Sequence, residues 1–147
     1  IQWFMKNAML EFDLYGRGWP IQSFPVYKGT TTNKLATYSK YKFALTFENC
    51  DNAPGYISEK ILDAFMAGIV PVYWGAPNIA THIPSDCFID MREFADYEDL
   101  YKYLKSVSYV RYCEYLEAID SFIRSDKANQ FDSNEEVKDI LRLIESY

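Results

Sequence analysis

The chain has 147 residues, 49% of them hydrophobic and 24% charged, and a formal net charge of -6. That length suits one domain with a core of its own, and the negative balance excludes the basic footprint that nucleic acid requires. Three widely spaced cysteines and a single histidine, His82, exclude a zinc ribbon or finger and argue against a disulfide framework, so a reducing compartment is expected.

In chain order, "IQWFMKNAMLEFDLYG" reads as the tail of a helix running into a strand, as if the chain began inside a larger protein. "EFDLYGRG" is predicted to be that strand, stopped by a turn at Gly16 and Gly18. A loop with two prolines follows, then a short helix over "NKLATYSKY". "KFALTFEN" is apolar and aromatic without a helical stripe, which predicts a buried strand whose carboxyl end exposes Glu48 and Asn49.

After a polar loop, Ile57, Ile61 and Phe65 recur at helical spacing with Leu62 and Met66 beside them. Ser58 is placed to cap that helix, Glu59 suits its first turn, and Gly68 stands where a left-handed terminator belongs, giving about a dozen residues or fewer. "IVPVYWG" predicts the next strand, with Pro71 pointing to its first part or to a sheet edge. Strand, loop, helix and strand make a βαβ unit. "CFIDMREF" predicts one more strand, and "YEDLYKYLKSV" and "YVRYCEYLEAIDSFIRS" predict helices. "NEEVKDILRLIESY" predicts a last helix with Val137, Ile140, Leu141 and Ile144 on one face. The expected fold class is α/β, a Rossmann-like parallel sheet flanked by helices, as one domain over 1–147.

Ligands of open α/β sheets sit beyond the carboxyl ends of the strands, where loops enter helices. Asn49 and the Glu59-Lys60 pair fall at such places. The free N–H groups after Ser58, the helix dipole and the Lys60 ammonium together predict an anion site for a phosphate or diphosphate. The plainer alternative makes Glu59 a dipole partner and Lys60 a solvated surface residue. Glu48 has two readings, as a general base or as a hydrogen-bond anchor for the next loop, and the anchor is favoured. His82, in "NIATHIP" without an obvious Ser or Cys partner, reads as structural. No phosphate-binding P-loop, dinucleotide fingerprint or nucleophile elbow occurs, and no D-x-D offers a metal ligand set.

"YKFALTFENC" followed by "GYISEKILDAFMAGIVPVYWGAP" resembles the α1,3/4-fucosyltransferase signature over residues 41–77, and the flanks "DLYGRG" and "FIDMREFADYEDLYKYL" fit it too. The resemblance implies the C-terminal, donor-binding half of a GT-B glycosyltransferase of family 10. It implies GDP-fucose as donor, a glycan hydroxyl on N-acetylglucosamine or glucose as acceptor, inverting transfer, no tightly bound cofactor and no required divalent metal. Carried over by position, Lys60 holds the diphosphate, Glu59 bonds the ribose or fucose, and Asn49, Tyr56 and Ser58 line the donor pocket. Gly16 and Arg17 of the Gly-Arg turn join the donor-site candidates. Cys50 stands where the family has Ser or Thr, and the loop after it is about one residue longer than common forms. The resemblance also places the catalytic base, and a further phosphate-binding arginine, outside these 147 residues. The base belongs to an N-terminal domain that is the implied partner.

Two other functions fit the same residues: a GT-B domain for another nucleotide sugar, and a non-catalytic glycan- or partner-binding module. The expected setting is bacterial, cytoplasmic or peripheral at the inner membrane, or the Golgi lumen for a eukaryotic source.

Overall fold

The computed structural model describes residues 1–131. The helix expected over Val137 to Ile144 lies outside them. Its elements are α1 (Gln2–Asn7), α2 (Lys34–Tyr38), β1 (Phe43–Phe47), α3 (Glu59–Met66), β2 (Val70–Trp74), α4 (Ile79–His82), β3 (Ile89–Asp90), α5 (Tyr97–Ser106) and α6 (Tyr109–Ile123), with short 3-10 turns between.

The three strands form a parallel sheet in the order β1-β2-β3, with Phe43 opposite Val70 and Val72 opposite Ile89. The expected α/β class and βαβ unit are present. β2 lies in the centre, and Val70, Val72 and Tyr73 are fully buried between the helical layers. Of the two places expected for Pro71, the first part of the strand and a sheet edge, it takes the first, and a central strand tolerates it for a simple reason. Val70 N–H donates to Lys42 O and Glu48 N–H to Trp74 O, so the even-numbered residues of β2 face β1 and Pro71 faces the other side. β3 begins only opposite Val72, so the missing N–H of Pro71 interrupts no ladder.

α3 starts and stops where the residues dictate. Ser58 Oγ accepts from Lys60 N–H at 3.4 Å. At the other end Gly68 takes φ +70, and the bonds Gly68 N–H to Phe65 O and Ile69 N–H to Ala64 O close a Schellman motif. Ile61, Ala64 and Phe65 are buried against the sheet and α6, whereas Met66 is 65% exposed and falls outside the apolar face.

Two expected strands shrink. Residues 11–15 make a single parallel bridge, Leu14 with Tyr27, and do not enter the sheet. The backbone groups of Leu14 bond Val26 and Lys28 instead, within the loop that follows. The strand expected over "CFIDMREF" is only Ile89–Asp90, because the Asp90 carboxylate accepts from Arg92 N–H and turns the chain into a 3-10 turn.

β1 is left at the margin of the sheet. Its even-numbered residues face β2, so Phe43, Leu45 and Phe47 turn their backbone groups outward. That margin opens on a cleft of about 820 Å³ whose far wall includes Leu14 and Tyr15. The Tyr41 hydroxyl spans it, donating to Asp13 at 2.6 Å and lying 3.1 Å from the Tyr15 hydroxyl. Among the described residues all three cysteines are free, and burial, with Asp86 beside it, pushes the Cys87 thiol up to about 12.

Candidate functional site

β1 ends at Phe47 and α3 begins at Glu59, so the carboxyl end of a parallel strand faces the amino end of a helix. The connection is knotted together by Glu48. Its side chain is fully buried, which corrects the expectation that it is exposed. One carboxylate oxygen accepts Ser58 N–H at 2.8 Å and the Ser58 hydroxyl at 2.9 Å, and the other lies 2.7 Å from that hydroxyl and 3.1 Å from Lys60 Nζ. Glu48 is thus the anchor of the following loop and helix start. A buried carboxylate requires this much company, since an uncompensated one carries a desolvation cost of several kcal/mol.

The Lys60 side chain folds back over the strand end. Its Nζ donates to Phe47 O at 3.0 Å, to Glu48 at 3.1 Å and to Asn49 Oδ1 at 3.3 Å. An ammonium has three donors, and all three are engaged here. At 26% side-chain exposure it is neither buried nor free in solvent. Its longest contact is the one to Asn49.

Space lies on both sides of this knot. A hollow of about 280 Å³ is lined by Phe47, Glu48, Asn49, Asp51, Trp74 and Tyr97. The larger cleft along β1 carries Glu59, Lys60 and Gly16 in its wall. Among the candidates Lys60 bonds both Asn49 and Ser58, and Glu59 and Gly16 share the cleft with Lys60. Tyr56 is 42% exposed and lines neither hollow, and Arg17 is exposed with no side-chain partner among the described residues.

Gly75 is a residue that spacing alone did not single out. A Cβ there would stand 2.6 Å from Glu48 Cγ and against the Tyr73 hydroxyl, so only glycine lets β2 end beside the buried carboxylate. The Tyr73 hydroxyl in turn accepts Ala76 N–H at 3.0 Å. Trp74 also enters unannounced, its indole N–H donating to Asp51 at 3.0 Å and tying the start of the 50–56 loop to the end of β2. The signal for both was the "YWG" closing the strand, whose aromatic residues look like ordinary core until their polar ends are traced.

Among the described residues no three His, Cys, Asp or Glu side chains converge as a metal site, and no helix is long and apolar enough to cross a membrane.

With this geometry in view, residues 4–131 match the family model described as glycosyltransferase family 10 (fucosyltransferase) C-term. The chain belongs to this family. The α/β sheet with flanking helices is the GT-B type of its solved relatives. A crystal structure of an α1,3-fucosyltransferase with GDP-fucose superposes with a TM-score of 0.56 at 29% identity, covering 65% of this chain and 32% of that one. Another, with GDP, gives 0.56 at 32% identity, covering 60% and 26%. An alpha-(1,3)-fucosyltransferase of Helicobacter pylori is 37% identical over 73 residues, 50% of this chain and 15% of that protein. A 4-galactosyl-N-acetylglucosaminide 3-alpha-L-fucosyltransferase 9 of Bos taurus is 40% identical over 103 residues, 69% and 27% respectively. The chain spans under a third of the length of either relative.

Proposed function

We propose that this chain is the donor-binding domain of an inverting α1,3/4-fucosyltransferase, taking GDP-fucose and serving transfer to a glycan hydroxyl on N-acetylglucosamine or glucose. The observation that carries this reading is the ammonium of Lys60 held 3.0 Å from Phe47 O, where β1 ends and α3 begins, in a chain of family 10. GDP and GDP-fucose are what the two solved relatives hold, which supports the same donor here.

In this reading Lys60 and the first N–H groups of α3 meet the diphosphate. As the bond to fucose breaks, negative charge grows on that leaving group, and a cation already fixed in place stabilises it without rearrangement. Glu48 takes no part in proton transfer: its oxygens are occupied by Ser58 and Lys60, and its work is to aim the ammonium. Asn49, Ser58, Glu59 and Gly16 form the surrounding wall, with Tyr56 and Arg17 at its outskirts. Charge stabilisation by Lys60 and the helix end calls for no divalent metal. The base that takes the acceptor proton comes from a partner N-terminal domain of the same enzyme, and three free thiols fit a reducing, cytoplasmic setting.

Isothermal titration with GDP, GDP-fucose and UDP tests the assignment. GDP and GDP-fucose should bind and UDP should bind more weakly; equal affinity for all three points to another nucleotide sugar, and no uptake of any removes the site. Lys60→Ala should weaken GDP on the order of a hundredfold. Melting of the variant separates this loss from unfolding.

A further inference from the structure

Asn78 stands at the amino end of α4, where an Asn side chain ordinarily accepts from the N–H groups of its own helix. It makes no such bond. Its Oδ1 accepts instead from Gly55 N–H at 2.7 Å, reaching back 23 residues, and its Nδ2 lies 3.3 Å from His82 Nε2. His82 Nδ1 is 2.8 Å from Gln130 Oε1, while Gln130 Nε2 donates to Lys127 O at 2.6 Å and to His82 O at 3.4 Å.

These contacts admit one consistent set of proton positions. The Gln130 amide nitrogen is committed to carbonyls, so its oxygen accepts and His82 Nδ1 carries the ring proton. Nε2 is then the lone-pair nitrogen, which accepts from Asn78 Nδ2–H, and the Asn78 amide can point only its oxygen at Gly55. The bond falls on the residue that turns the loop, since Gly55 has φ +76, a conformation that favours glycine. With Trp74 holding Asp51 at the other end, the 50–56 loop is tied at one end to the last residue of β2 and at the other to the segment that follows it.

We propose that Asn78 is a positioning residue. Oriented by His82 and Gln130, it fixes the turn at Gly55 and thereby sets the loop that joins Asn49 to Ser58, with Tyr56 on it, against the strand end where Lys60 lies. The link to the site rests on the donor-binding reading given above. The only histidine of the chain is on this account an orienting group, and its two partners, Asn78 and Gln130, lie on separate segments.

Amide exchange at Gly55, followed by NMR on the 147-residue chain beside GDP titration, tests the role. Asn78→Ala should speed Gly55 exchange on the order of tenfold and weaken GDP several-fold, about what one lost hydrogen bond gives, with the melting transition still cooperative. Asn78→Asp keeps an acceptor oxygen and should retain Gly55 protection. Should Asn78→Ala not fold, Gln130→Ala, at an exposed position, should still loosen Gly55 about twofold by freeing the His82 ring. Unchanged Gly55 exchange overturns the proposal, and so does faster exchange with GDP affinity intact. If the unaltered chain takes up no GDP, the donor-site reading fails by itself, and the Gly55 exchange rates alone decide whether Asn78 holds the loop.

Discussion

Residues 41–91 and residues 1–40 carry similar apolar and aromatic runs, yet they fold to different degrees. "KFALTFEN" and "IVPVYWG" pair along five residues and bury β2 from Val70 to Tyr73, while "EFDLYG" manages one bridge. The difference lies in partners. A strand is stabilised by the edge it lies against, and Leu14 finds only the loop around Tyr27, whereas β1 and β2 are brought together by α3 directly between them. Periodicity therefore reports what a segment is able to become, and the neighbouring edge decides whether it does.

The contrast can be broken at its strongest point first. Glu48→Ala should cost about 3 kcal/mol in urea unfolding, because the Ser58 and Lys60 donors lose a fully buried acceptor at once. A loss below about 1 kcal/mol would mean that the strand-to-helix connection does not depend on this carboxylate.

Gly75→Ala comes next, at about 1–3 kcal/mol, since the added methyl meets the buried Tyr73 hydroxyl and stands 2.6 Å from Glu48 Cγ. Restoration of some stability in the double variant with Glu48→Ala, relative to the sum of the two, would show that the clash runs through Glu48.

The smallest effect belongs to the other region. Tyr41→Phe removes the hydroxyl that joins Asp13 and Tyr15 across the cleft and should cost about 1 kcal/mol or less. Burial, reinforced by the bond to Asp13, raises the Tyr41 phenol above the usual tyrosine range, so it stays a donor to that carboxylate. A cost equal to that of Glu48→Ala would show residues 1–40 to be as tightly integrated as the sheet.

Local signals were legible wherever the physics is local. The Ser58 cap, the Gly68 terminator and the β-branched and aromatic run of β2 each depend on residues within one turn or one strand, and each appears as expected. Pro71 was legible as an early strand residue, but not the reason a central strand accepts it: its missing donor faces a neighbour that has not yet begun, a fact of register that no single strand reveals. Glu48 was legible as a loop anchor but not as a buried one, since its burial follows from Ser58 and Lys60 arriving together from beyond the loop. Asn78 was invisible for the opposite reason: its position looks like a helix cap, and its actual partner lies 23 residues away.

The outward-facing backbone of Phe43, Leu45 and Phe47 has a practical consequence. The Lys60 ammonium takes Phe47 O, but among the described residues the outward backbone groups of Phe43 and Leu45 have no partner, and such a margin flanked by aromatic rings is a template on which an extended chain can add itself. Handled by itself, the polypeptide should become cloudy as its concentration rises, and the loss should begin along that one border.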